Sequence, residues 1–355
     1  MSLAAYGWNE TWAERLAAAD CSRGVAARVL AQRRELYRVH TGATELPARI
    51  CGRLRHDASS TADLPAVGDW VVVEHSGAGN DALIQVVLPR KSSFSRKAAG
   101  KRTDEQIVGA NVDTVWIVSA FDSDLNPARL ERYVTLVWES GASPVVVLAK
   151  ADLSEAPESI VAGLNARLVG VPIHAVSALD GAGLAALGSY LVQGQTIALI
   201  GSSGVGKSTL INRLAGREVM RTAAVRASDG KGRHTTSHRQ LVLLPSGGLL
   251  LDTPGMRELQ LWSAAEGLDK SFPDIDAIAE GCRFADCCHE SEPGCAVHAA
   301  VESGELAPER LENFRKLMKE LTYFERKRDV RAELEEKRRW KQLIKEYRRR
   351  FKGRT

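Results

Sequence analysis

Apolar residues follow two rhythms along this chain. Between residues 34 and 98 they form short β-favouring runs, LYRVHTG, PARICGRLRH, DWVVVEHS and ALIQVVLPR, broken by Gly, Asp and Pro. Runs recurring at intervals of roughly ten residues predict a small barrel of about five strands, either an OB-fold or an SH3-like barrel. From Asn111 the rhythm changes to buried apolar runs alternating with amphipathic stretches: DTVWIVSA, a helix over Pro127 to Ser140, PVVVLAK, a helix near Ile160, PIHAVSA, a short helix near Leu184, and TIALIG. A helix opening at Lys207 follows, then the strands RQLVLLP and GLLLDTPG. Such alternation predicts a doubly wound, mainly parallel sheet over residues 111–262. Residues 1–33 read as a helical extension, and residues beyond Trp262 carry helical patterns over 307–322 and 324–351.

The strand TIALIG runs into GSSGVGKST, residues 201–209, a complete GxxxxGK[ST] phosphate loop. Gly201, Gly204 and Gly206 allow consecutive backbone N–H groups to curl round an anion, and Ser202, Ser203 and Val205 complete that cradle. Lys207 is positioned for β/γ oxygens and Ser208 for Mg²⁺, with Thr209 beside it on a helix whose N-terminus favours negative charge. Asp252, in the DTPG sequence 252–255, ends a strand where it can hold a magnesium-bound water, and the Gly255 N–H can bond a γ-phosphate. Two further motifs precede the loop: AKAD (Ala149, Lys150, Ala151, Asp152) and SAL (177–179). Asp152 would accept from guanine N1 and N2, the Lys150 stem would cover the purine, and the Ser177 and Ala178 backbone would meet O6. Adenine offers an acceptor where guanine donates, so Asp152 selects against ATP. In Ras-like GTPases these base-reading motifs follow the phosphate loop. Here they come first, so the chain reads as a circularly permuted GTPase. Ala149 stands where Asn or Thr is usual, which removes a brace between the phosphate loop and the base.

The switch segment lies in KGRHTTSHRQL, where Thr235 or Thr236 is the candidate Mg²⁺ ligand. Position 256, where Ras-like enzymes use glutamine to hold the attacking water, is Met256. His234 is therefore the candidate general base or water-orienting group, the alternative being a basic loop facing RNA or solvent.

Cys282, Cys287, His289 and Cys295 make C-x4-C-x-H-x5-C. Three thiolates and an imidazole satisfy a closed, structural zinc site, with Cys288 a surplus thiol and His298 a competitor for the histidine position. Charge sharpens the picture at the C-terminus. The whole chain carries +4, yet residues 310–355 hold 18 Lys+Arg against 8 Asp+Glu. Trp340, Ile344, Tyr347 and Phe351 fall on one helical face among these cations. This segment fits a helix packed on its own domain, an RNA-docking helix or a membrane-surface helix. The N-terminus does not read as a signal peptide, and no apolar run reaches the ~18 residues a membrane span needs, so a cytoplasmic, monomeric protein is expected.

The permuted motif order, the small barrel and the C-x4-C-x-H-x5-C insert after DTPG together resemble the ribosome small-subunit-dependent GTPase A family over about residues 34–322. The resemblance implies a multidomain α/β chain: an N-terminal extension (1–33), an OB-like barrel (34–98), a permuted P-loop GTPase domain (111–262), a helical zinc-binding domain (263–322) and a basic C-terminal helix (323–355). It further implies GTP hydrolysis in late maturation of the 30S subunit, stimulated by that particle, with 16S rRNA as partner, and KGRHTT as the switch carrying His234. Two other readings stand beside it: an RNA-binding scaffold with a degenerate nucleotide site, favoured by Ala149, and a P-loop ATPase or kinase acting on a small substrate.

Overall fold

Strand β1, Val25–Arg33, shows how tertiary pairing overrides local preference. Its sequence VAARVLAQR is rich in good helix formers, which is why residues 1–33 read as helical. The structure, a computed structural model describing residues 2–19, 21, 23–75, 81–97, 105–122, 124–220, 239–252 and 265–322, makes it a strand. Among the described residues, only α1, Glu10–Ala17, and a short 3₁₀ turn, Leu3–Tyr6, are helical ahead of it, the Asn9 side chain capping α1 through the Trp12 N–H at 3.2 Å. Residues 26–30 of β1 are buried without alternation, because both faces of the strand are covered.

One face closes the barrel. β1 pairs with β2 (Leu36–His40) and with β4 (Trp70–His75), and the remaining order runs β2, β3 (Glu45–Ile50), β5 (Ala82–Val87), β4. The β3–β5 pair is parallel and the others antiparallel, giving a closed five-stranded barrel of OB type. Ala27, Val29, Tyr37, Val39, Leu46, Val71, Val73 and Ile84 fill it. The GRLRH end of the second predicted strand is instead α2, Gly52–Asp57, started by Cys51, whose Sγ accepts from the Leu54 N–H at 3.3 Å. Ser93–Lys97 and Glu105–Ala110 (β6 and β7) form a separate antiparallel pair.

The second rhythm folds as expected. β8 (Thr114–Ala120), α3 (Pro127–Glu139), β9 (Ser143–Ala149), α4 (Pro157–Arg167), β10 (Ile173–Ala175), α5 (Leu184–Gly188), β11 (Thr196–Ile200), α6 (Lys207–Ala215), β12 (Arg239–Leu243) and β13 (Leu249–Asp252) give the spatial order β10-β9-β8-β11-β13-β12. All neighbours are parallel except β12, which is antiparallel to β13. The chain moves outward from β8 to β10 and then returns to lay β11 on the other side of β8. That reversal creates a crevice at the C-terminal ends of β8 and β11, where doubly wound sheets bind ligands. Trp116, Val118, Val147, Ile197, Leu210 and Ile211 lie in the core beneath it.

The barrel joins this sheet through β12, which pairs with β1 at Ala31↔Gln240 and Gln32↔Arg239 and makes one eleven-stranded sheet. The outer face of β1 sends Arg28 into the junction. Arg28 is 1% exposed and donates to Tyr6 O (3.3 Å), Asn111 O (3.1 Å) and Thr196 Oγ1 (3.4 Å), with its guanidinium 4.9 Å from the Trp70 ring. Nearby, Arg90 binds Asp69 in bidentate fashion at 2.9 and 2.8 Å.

Residues 261–355 form a separate unit. Its described part contains α7 (Ala265–Ser271), α8 (Pro273–Ala279), α9 (Ala296–Ser303) and a helix over 308–322. Leu268, Phe272, Ile275, Val297, Leu306, Leu311, Leu317 and Leu321 are buried in it, and Arg310 clamps Asp274 with two 2.6 Å bonds. Among the described residues, no helix is long and apolar enough to cross a membrane.

Candidate functional site

The loop 201–206 leaves the end of β11 and turns into α6 with Gly201, Gly204 and Gly206 at φ 146°, 76° and 107°. Gly201 has no substitute, since a Cβ there would lie 2.2 Å from Val118 O on the adjacent strand. Ser203 and Gly204 form the exposed tip, while Val205 is buried and anchors the loop. The Lys207 ammonium folds back over the loop, 2.9 Å from Gly201 O and 2.5 Å from Ser202 O. Ser208, half-buried, and Thr209, exposed, occupy the first turn of α6.

The AKAD and SAL motifs stand at the same edge. Ala149 ends β9, opposite Ala120 of β8, and its methyl lies 3.8 Å from where a Cβ on Gly206 would be. Lys150 then takes a left-handed turn (φ 59°) and Ala151 donates to Val176 O at 3.0 Å, which ties AKAD to the SAL loop. Asp152 is exposed and free to meet a ligand edge. Ser177 is fully buried, and its hydroxyl accepts from Leu179 and Asp180 N–H groups at 3.2 and 3.4 Å, shaping the turn that presents Ala178. Gly183 closes this turn where a Cβ would strike Ala175 O at 2.1 Å. Leu179 is left 81% exposed beside it, an apolar surface suited to a planar base.

Asp252 is the last residue of β13, one beyond the Leu251↔Ala198 pair, so it stands level with the end of β11. Burial pushes its carboxyl above the ordinary range, as expected for an acid held among strand ends. His234, Thr235, Thr236, Met256, Gly255 and the basic segment 323–355 lie outside the described residues.

In the second unit, α8 and α9 bracket a loop that gathers Cys282, Cys287, His289 and Cys295, with all ligand atoms within 4.8 Å of one another. Tetrahedral zinc with Zn–S of about 2.3 Å and Zn–N of about 2.05 Å requires S···S near 3.8 Å and S···N near 3.6 Å. The Cys282–Cys295 sulfurs are 4.0 Å apart, and His289 Nδ1 lies 3.6 and 3.5 Å from them. The donor set therefore fits a closed metal site. Cys288 is exposed and directs its thiol to Asp286 O at 3.6 Å, and His298 Nε2 lies 2.8 Å from Glu290 O, so neither joins the cluster. The sequence reading passed over Glu292. Its carboxylate accepts from the N–H groups of Cys288 (2.9 Å), Glu290 (2.8 Å) and Ser291 (3.0 Å), which fix the turn that puts His289 at φ 57°. Those bonds, the Cys288 N–H first, hold its carboxyl down to about 2. An acid three residues beyond a histidine matches no metal-ligand spacing of its own, so nothing in the pattern marked it.

The GSSGVGKST loop after β11, the acid ending β13 and the AKAD and SAL turns after β9 and β10 thus lie at the C-terminal edge of one parallel sheet, reached in permuted chain order. The sequence profile of the RsgA GTPase family matches residues 87–262. The small ribosomal subunit biogenesis GTPase RsgA 1 of Oceanobacillus iheyensis is 45% identical over 318 residues, covering 89% of this chain and 91% of that protein. The chain belongs to the RsgA GTPase family. RsgA 2 of Listeria monocytogenes is 44% identical over 354 residues, spanning 100% of this chain and 99% of that one. Among solved structures, YjeQ from Thermotoga maritima superposes with a TM-score of 0.63 at 28% identity, covering 84% of this chain and 99% of its own. YloQ, described as a circularly permuted GTPase, gives 0.61 at 25% identity, with 85% and 96% covered. As an RsgA GTPase, the chain is a GTP hydrolase.

Proposed function

We propose that this GTP hydrolase works in biogenesis of the small ribosomal subunit, docking on the 30S particle as a monomer in the cytoplasm and contacting 16S rRNA. The observation that carries the reading is the convergence of the GSSGVGKST loop with the AKAD and SAL turns at one sheet edge, in a chain whose RsgA relatives are named for that process. The charge excess of residues 310–355 supports an RNA partner, since phosphate contacts dominate such affinity.

In this reading the 201–206 N–H groups and Lys207 hold the β- and γ-phosphates, while Asp152 and the 177–178 backbone select guanine. Ser208, Asp252 and Thr235 or Thr236 would hold Mg²⁺, which supplies charge neutralisation on the β- and γ-oxygens when bound. His234 orients or deprotonates the attacking water, the role Met256 cannot perform, and Gly255 senses the γ-phosphate. Cys282, Cys287, His289 and Cys295 would hold one structural zinc, with four protein ligands leaving no position for substrate.

The test is GTP hydrolysis by the purified protein, alone and with 30S subunits, with 50S subunits, ATP and His234→Ala as controls. A basal rate on the order of 10⁻³ per second or less, raised tenfold or more by 30S alone and lost in the variant, is the expected result. A rate indifferent to 30S while GTP still binds removes the ribosomal partner. Failure to bind guanine nucleotide replaces the reading with an RNA-binding scaffold.

A further inference from the structure

Asp122 lies at the C-terminal end of β8, the strand between the base-reading strand β9 and the phosphate-loop strand β11. The ladder ends there with Phe121 N–H donating to Ala149 O at 3.0 Å, which brings the next residue of each strand, Asp122 and Lys150, side by side. The Asp122 carboxylate is used at both oxygens. Oδ1 accepts from the Asp124 N–H at 2.8 Å and Oδ2 takes the Lys150 ammonium at 2.9 Å, and the lysine bond first and the backbone bond second lower its pKa. The turn carrying Asp122 is itself pinned. Asp124 pairs with Arg129 of α3 at 2.8 Å and accepts from Ser119 Oγ at 3.1 Å, and the Leu125 N–H donates to Asp122 O at 3.1 Å.

A lysine stem that must lie along a purine face loses rotamer freedom when it does so, a cost carried by binding unless the stem is ordered beforehand. Position 149 cannot help, because Ala149 carries only a methyl, which lies 3.8 Å from where a Cβ on Gly206 would be. We propose that Asp122 is a positioning residue for guanine-nucleotide affinity: it fixes Lys150 in place before the base arrives. This rests on the assignment of Lys150 to the base site. The ion pair is about one-third exposed on each side, so its effect on affinity is a factor of a few and not of thousands.

The experiment measures GDP affinity by fluorescent-nucleotide titration, together with kcat and KM for 30S-stimulated GTP hydrolysis, in wild type, Asp122→Asn, Asp122→Ala, Lys150→Ala and the Asp122→Asn/Lys150→Ala double variant. Asn keeps an acceptor for the Asp124 N–H but removes the charge, so it separates the ion pair from the turn. The expected result is that Asn and Ala at 122 weaken GDP alike, roughly threefold to tenfold, with the loss in KM and not in kcat. The double variant is then no weaker than Lys150→Ala, and raising ionic strength weakens wild type more than Asp122→Asn. Wild-type affinity in Asp122→Asn overturns the inference, as does tighter binding, which would mean that Asp122 holds Lys150 away from the base. If wild type itself prefers ADP to GDP, the GTPase reading falls with it.

Discussion

Removing the Arg28 side chain tests how the barrel is fastened to the nucleotide domain. Arg28 is charged in a site where burial lowers its pKa from 12.5 to about 10, an effect only partly offset by Asp113 and Asp69. That displacement means that keeping the charge there costs about 3 kcal/mol. Three hydrogen bonds of 3.1–3.4 Å and the 4.9 Å approach to Trp70 compensate. Arg28→Ala relieves the charge cost, but it leaves Tyr6 O, Asn111 O and Thr196 Oγ1 short of a donor and opens a side-chain-sized void. Unsatisfied buried acceptors cost about 1–3 kcal/mol each and broken buried ionic networks about 3–5 kcal/mol, so a net loss of about 3–5 kcal/mol is expected. Arg28→Met also relieves the charge and leaves the same three acceptors unpaired, but it fills most of the void, so its loss should be about 1–2 kcal/mol smaller than that of Ala. At about 2–4 °C per kcal/mol for a unit of this size, Ala lowers the melting transition of residues 1–260 by on the order of 10 °C and Met by about 2–8 °C less than Ala. Differential scanning calorimetry reads both. Nucleotide affinity should hold in each variant, because Thr196 begins β11 while Gly201 follows its far end. Equal losses for Ala and Met, or an Ala variant melting within 2 °C of wild type, would refute the reasoning that a costly charge is balanced by these bonds.

Three further outcomes are expected. Gly201→Ala puts a methyl 2.2 Å from Val118 O and so deforms the loop; isothermal titration should show GTP affinity reduced by about two orders of magnitude or more, with the fold retained by circular dichroism. Asp252→Asn removes an acid whose folded pKa burial has raised. The penalty for its charge is present above the folded pKa and vanishes below the unfolded value of 3.8, so the nucleotide-free variant should melt higher than wild type at pH 7 and equal to it near pH 3, while losing GTP hydrolysis. Cys282→Ser breaks a four-ligand set, and atomic absorption should find zinc stoichiometry falling from about one towards zero, with increased amide exchange over 265–322 and unchanged GDP affinity.

Much of the candidate site was legible because its motifs are written locally. A phosphate loop needs glycines at fixed spacing within nine residues, and a tetrahedral site needs four soft donors within a short loop. Both patterns therefore survive in one dimension, and residues 201–209 and 282–295 folded as those spacings require. The parallel sheet was legible for the same reason, since strands buried on both faces read as unbroken apolar runs such as VVVLA. β1 was misread as helix because nothing in VAARVLAQR records that β2, β4 and β12 lie beside it; pairing between distant segments outweighed helix preferences worth tenths of a kcal/mol per residue. The same limit hid Asp122 and Arg28. A carboxylate 28 positions from Lys150, or an arginine 168 positions from Thr196, gains its meaning only when the sheet sets their strands side by side. The amino-acid order by itself determined the candidate groups for phosphate, guanine and a metal ion. Only the tertiary structure decided which buried charges balance one another around them, because the electrostatic cost of a buried group depends on neighbours that the chain brings together by folding.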